Sequence, residues 1–239
     1  MWHVLRLARH GGSYPIGRGL VTSFCLIMLL LLPGLMGCGQ QETPPPAPEQ
    51  PPYEGTIVAM GNSLTAGHGV AETQAYPAQL EKKLHQHGYL FKVVNAGISG
   101  ETSSGALARL TWMLKLKPDI VILETGANDG LRGIDPVLTQ QNLTAIVAAL
   151  KAHHLTVILA GMQMGQNLGE TYTMAFANMY PAVARQHGVT LVPFFLAGVA
   201  AEPALNQTDG IHPTADGYGI VVETLYPYVI DAIGQWRDR

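Results

Sequence analysis

A serine at the end of an apolar run, and an aspartate three residues ahead of a histidine, are the features of this chain able to carry nucleophilic chemistry. Ser63 follows Thr56-Ile57-Val58-Ala59-Met60 and then Gly61-Asn62. The apolar, partly β-branched run reads as a buried strand. Glycine and asparagine adopt the sharp backbone conformations that aim the next side chain out of a sheet. A serine there lies at the carboxyl edge of an α/β sheet, where ligands of such sheets bind. Far along the chain stands Asp209-Gly210-Ile211-His212-Pro213. A residue before proline is pushed towards extended geometry, which projects the His212 imidazole from a loop. Asp209, across a flexible glycine, can fold back to the other ring nitrogen. That is the base-and-orienter half of a serine triad.

Strand-like and helix-like patterns alternate through the segment that must position these groups. Helices are expected over 75–87, from Thr102 or Ser103 through Leu107, Leu110 and Leu114, over 136–153, over 171–187, and from Pro213 to near the carboxyl end with an interruption around Pro227. Strands are expected at 56–60, 91–96, 119–124, 156–160 and 189–193. Five strands alternating with helices imply a three-layer α/β/α sandwich on a five-stranded parallel sheet, flavodoxin-like in class. Three strand ends carry glycine with a small polar residue: Gly61 to Ser63, Gly97 to Gly100, and Gly126 to Asn128. A parallel sheet gathers them on one edge.

Composition narrows the class. Of 239 residues, 47% are apolar and 13% charged, which excludes a disordered chain and a basic nucleic-acid-binding surface. The formal charge is −3, and setting aside residues 1–37, which hold Arg6, Arg9 and Arg18 but no acid, leaves −6. Both cysteines, Cys25 and Cys38, precede the domain, so no disulfide or cysteine metal site is expected in it. No cofactor or metal is called for, and the domain is expected to act as a monomer.

The four polar blocks together resemble the GDSL/SGNH hydrolases, in order and over essentially the whole domain from residue 55 onward. Asn95-Ala96-Gly97-Ile98-Ser99-Gly100-Glu101-Thr102-Ser103 and Gly126-Ala127-Asn128-Asp129-Gly130-Leu131-Arg132-Gly133 resemble the multifunctional thioesterase, lysophospholipase and arylesterase branch. The resemblance implies a serine esterase acting on acyl esters or thioesters through an acyl-enzyme. It makes Ser63 the nucleophile, His212 the base and Asp209 the orienter. It also implies an oxyanion hole from the Ser63 and Gly100 N–H groups and the Asn128 side chain. Gly100 is preferred to Gly97 because the matching glycine of that branch supplies the N–H. Asn62 stands where the family motif has aspartate, which bears on turn stability and charge rather than on the triad. A carbohydrate O-deacetylase and a catalytically silent binding module on the same fold are the competing readings. The absence of a Gly-x-Ser-x-Gly elbow separates the chain from the α/β-hydrolase fold.

Residues 1–37 read as a processing segment, with an apolar run from Val21 to Leu32 that is shorter than a membrane span. Leu35-Met36-Gly37-Cys38 resembles a bacterial lipobox, which makes Cys38 a lipidated amino terminus; an ordinary secretory signal is the alternative. Gly39 favours an outer-membrane anchor on the periplasmic face. Residues 38–54, rich in proline, read as a semi-rigid tether, and the hydrolase domain as 55–239. The loop after the fourth strand emerges on the Ser63 edge, and the branch resembled makes it an acyl-groove cover. Its Met162, Met164 and Leu168 are expected to form an adaptable acyl wall. Glu124 is read as structural, and the pairs His85/His87 and His153/His154 as surface histidines rather than metal ligands.

Overall fold

The computed structural model describes residues 52–239, so Cys38 and most of the expected tether lie outside the described residues. The sheet is built from β1 (Gly55–Gly61), β2 (Phe91–Gly97), β3 (Ile120–Glu124), β4 (Thr156–Ala160) and β5 (Thr190–Val192). All are parallel, in the order β2-β1-β3-β4-β5. Strands covered on both faces should be continuously apolar. β3 and β4 are buried at every residue, and apolar throughout except for Glu124 at the end of β3 and Thr156 at the start of β4.

The helices are α1 (Ser63–Ala66), α2 (Tyr76–Gln86), α3 (Ser103–Ala108), α4 (Leu110–Leu114), α5 (Ala127–Leu131), α6 (Pro136–Ala152), α7 (Glu170–His187) and α8 (Ala215–Arg237). The α/β/α architecture stands as the pattern implied, with local differences. The helix expected to run unbroken to Leu114 is two helices, because Arg109 leaves helical geometry (φ −95°, ψ 6°) and its side chain turns inward. Helix α8 starts at Ala215, not Pro213: Thr214 caps it by accepting the Gly217 N–H at 3.2 Å. Pro227 does not interrupt α8. A buried row including Val221, Leu225, Val229 and Ile233 outweighs the one backbone hydrogen bond that proline forfeits. The five-residue α5 had no clear signal in the sequence.

The register sets the site. Gly61 of β1 faces Gly97 of β2 on one side and Glu124 of β3 on the other. The three polar turns therefore leave the sheet at one level. Gly97 is glycine for space, since a Cβ there would lie 2.7 Å from Ala66 Cα and nearer still to Ala66 N. Gly97→Ala must push α1, and Ser63 with it, away from the sheet. We expect a loss of about 1–3 kcal/mol in urea unfolding, with turnover reduced as well. Unchanged stability would show that α1 has room to move.

Candidate active site

The turn that carries Ser63 is held from behind by a buried carboxyl. Asn62 has 1% of its surface exposed, and Glu124 and Thr65 none. Asn62 Nδ2 donates to Glu124 Oε1 at 2.7 Å, and the Asn62 N–H donates to Oε2 at 3.2 Å. Thr65 Oγ1 donates to the same Oε2 at 2.9 Å. Asn62 Oδ1 accepts the Leu64 N–H, capping α1. The amide of Asn62 thus donates and accepts at once. Aspartate at 62 would need a proton to do the same beside Glu124.

Asp209 and His212 meet as their spacing allows. Gly210 takes φ +69°, and Asp209 Oδ1 accepts the N–H groups of Ile211 and His212 at 2.9 and 3.0 Å. Asp209 Oδ2 lies 2.7 Å from His212 Nδ1. A carboxylate only accepts, so Nδ1 carries the proton and Nε2 is left as the acceptor. Nε2 lies 2.8 Å from Ser63 Oγ. The hydrogen bond from the His212 ring, joined by those two backbone N–H groups, holds the Asp209 carboxyl well below the usual carboxylate range.

Gly100 and Asn128 stand on the other side of Ser63. Ile98 to Glu101 is a turn closed by the Glu101 N–H on the Ile98 carbonyl, with Gly100 at φ +80°. Asn128 Nδ2 gives one hydrogen to the Glu101 carbonyl at 3.0 Å, which fixes the amide and leaves its second hydrogen free. The Ser63 N–H opens the first turn of α1, where no intrahelical acceptor exists. Ser63, Gly100, Asn128 and His212 share the lining of a cavity of about 280 Å³ whose other walls include Leu64, Leu131 and Ile211.

The loop residues expected to wall the acyl chain are not brought to this cavity's lining. Met162 is 3% exposed, in the core beyond β4. Met164 lies against Gly130 of α5, where a Cβ would strike its thioether, and Leu168 sits half-buried in a single 3-10 turn. The reason is local: Gly130 lacks a side chain, and Met164 fills the space beneath α5. His85 and His87 each bond a backbone carbonyl, of Phe91 and Lys83. Three features went unrecognised in the sequence: the part Glu124 plays, an ion pair between Glu101 and Arg109, and His68, whose exposed ring lies 4.6 Å from that of His212. Each depends on segments remote in the chain or on a helix break.

The model of the GDSL-like lipase/acylhydrolase family matches residues 59–220. The chain belongs to that family. The esterase TesA of Pseudomonas aeruginosa is 43% identical over 173 residues, 72% of this chain and 86% of the relative. The Escherichia coli protein called thioesterase 1/protease 1/lysophospholipase L1 is 39% identical over 171 residues, 71% and 81% of the two chains. A crystal structure of TesA superposes with a TM-score of 0.72 at 42% identity, over 74% of this chain and 99% of that one. The protein is a serine ester hydrolase with the family's fold.

Burial pushes the Glu124 carboxyl up to about 8, against the hydrogen bonds from Thr65 and Asn62, which favour its anion. The folded protein therefore keeps a proton that the unfolded chain, with an ordinary carboxyl near 4.5, has already released. Stability owed to this group falls as pH rises between those two values. Relative to Glu124→Gln, the wild type should lose roughly 2–5 kcal/mol of unfolding free energy between pH 5 and pH 8.5. Parallel curves for the two proteins would show Glu124 ionised throughout.

Proposed function

We propose that Ser63 is the nucleophile, His212 the general base and Asp209 its orienter in the hydrolysis of acyl esters and thioesters. The observation that carries this reading is the unbroken run from Asp209 Oδ2 through the imidazole to Ser63 Oγ, 2.7 and 2.8 Å long. Ser63 Oγ attacks the acyl carbonyl while His212 Nε2 takes its proton. The carbonyl oxygen, now an anion, receives hydrogen bonds from the Ser63 and Gly100 N–H groups and Asn128 Nδ2. Donors of this kind contribute about 3–4 kcal/mol each in comparable sites. On collapse, His212 returns the proton to the departing alcohol or thiol oxygen or sulfur. A water then gives a proton to His212 and attacks the acyl carbon on Ser63; as the acyl–Oγ bond breaks, His212 returns that proton to Ser63 Oγ and the acid is released.

The cavity favours an acyl or aryl substrate over a sugar. Leu64, Leu131 and Ile211 wall it, and Leu131 and Ile211 keep 54% and 44% of their surface exposed. Outside the groups assigned to the reaction and the buried Asn62, only His68 and Ser99 on this lining could bond the hydroxyls of a sugar acetate. The acyl chain runs along Leu131 and Ile211, with Met164 supporting α5 from beneath. Met162 and Leu168 are then left to tune that loop rather than to touch substrate.

Cys38 carries the anchor in this reading, and the proline-rich residues after it hold the domain off a bacterial envelope membrane, at the periplasmic face of the outer membrane. Among the described residues no helix is long and apolar enough to cross a membrane. The domain works as a monomer.

Ser63→Ala should keep its fold and lose hydrolysis of a p-nitrophenyl acyl ester by at least about a thousandfold. Retention of even a tenth of the rate by the purified variant would remove Ser63 from the mechanism. Cys38→Ser should abolish membrane partition of the full chain in detergent phase separation while leaving kcat unchanged. A wild-type protein without acyl mass on its amino-terminal peptide would contradict the anchor.

A further inference from the structure

The Gly100 turn and the Asn128 amide both depend on Glu101, and Glu101 is itself gripped. Its side chain forms a two-pronged ion pair with Arg109, Nε to Oε1 at 2.5 Å and Nη2 to Oε2 at 2.7 Å. The two side chains keep only 6% and 12% of their surface exposed. Arg109 Nη2 also donates to the Gly61 carbonyl at 3.2 Å, and the Ile98 N–H donates to that same carbonyl at 2.9 Å. The turn from Ile98 to Glu101 is thus tied at both ends to the last residue of β1, two residues before Ser63. Arg109 can make these bonds because α3 breaks at it. Its remaining nitrogen, Nη1, is buried with no protein partner.

A buried ion pair adds little net stability over a well-packed apolar pair, because desolvation offsets its attraction. Its place is better read from what it orients. The Glu101 carbonyl holds Asn128 Nδ2, and Gly100 is the residue before Glu101. We propose that Arg109 is a positioning residue for the oxyanion hole, locking the Gly100 N–H and the Asn128 amide in register with Ser63 through Glu101 and the Gly61 carbonyl. This rests on the reading of Gly100 and Asn128 as oxyanion donors. Only a planar fork spans two carboxylate oxygens and a carbonyl together, so lysine is a poor substitute. The expected signature is a loss confined to the transition state.

The test uses Arg109→Lys, and Glu101→Met combined with Arg109→Met, which leaves no unpaired charge buried if the lysine form is too unstable. Each is compared with wild type and Asn128→Ala after counting active sites by organophosphonate titration. With a short soluble acyl ester, kcat per titrated site should fall about 10–100-fold in the Arg109 variants, while KM stays within about threefold. The inhibition constant of an acyl trifluoromethyl ketone, whose adduct carries the oxyanion, should rise by the same factor as kcat falls. Adding Arg109→Lys to Asn128→Ala should cost less than the product of the two losses. Wild-type kcat and ketone affinity in folded Arg109 variants, beside a slow Asn128→Ala, would overturn the brace alone. An Asn128→Ala enzyme with normal kcat would overturn the assignment of the donors, and the brace with it. Losses that multiply in full would place Arg109 outside the oxyanion hole.

Discussion

Everything at this site hangs on the register of three parallel strands. Gly61, Gly97 and Glu124 stand side by side at the end of β1, β2 and β3. A parallel sheet sends all its strand ends to one edge, so three loops far apart in sequence leave from one row. Slipping one strand by a residue would turn its side chains to the opposite face and carry its loop out of reach. Two polar ties fix that row from below. The Glu124 carboxyl receives Asn62 and Thr65, and the Gly61 carbonyl receives Ile98 and Arg109. The proposed nucleophile is set between a buried carboxyl held behind it and a cation held beside it.

The carboxyl groups of Asp209 and Glu124 are pushed in opposite directions by opposite surroundings. Asp209 is partly exposed and takes hydrogen bonds from the His212 ring and two backbone N–H groups, which favour its anion. Glu124 is fully enclosed with no cation bonded to it, and burial favours its neutral form. Only Asp209 is placed to steady a positive imidazole during turnover. Glu124 does its work on the backbone, and Asn62 suits it because an amide brings donors that need no proton.

The fold was legible because its signals are local. Apolar runs such as Ile120-Val121-Ile122-Leu123 can satisfy both faces of a sheet only as inner strands, and three of the five strands end in glycine with a polar residue. The Asp209 and His212 arrangement was legible for the same reason, since three residues and one glycine define the loop. What stayed hidden is what tertiary packing decides. Arg109 looks like an exposed helical position until α3 breaks there. Glu124 reads as one more strand residue until Asn62 and Thr65 reach it from a distance of about sixty positions. Met162 and Met164 follow the fourth strand as expected, yet core space and the bare backbone of Gly130 draw them inward. Pro227 would end an isolated helix, but α8, with its buried neighbours, continues past it.

A structure of the protein after reaction with an organophosphonate ester tests the central claim most directly. The account predicts phosphorus bonded to Ser63 Oγ. It also predicts the phosphoryl oxygen about 2.7–3.1 Å from the Ser63 N–H nitrogen, the Gly100 nitrogen and Asn128 Nδ2, with the Glu101–Arg109 pair intact beneath them. An adduct on any other residue, or a phosphoryl oxygen turned to solvent away from those three donors, would contradict it.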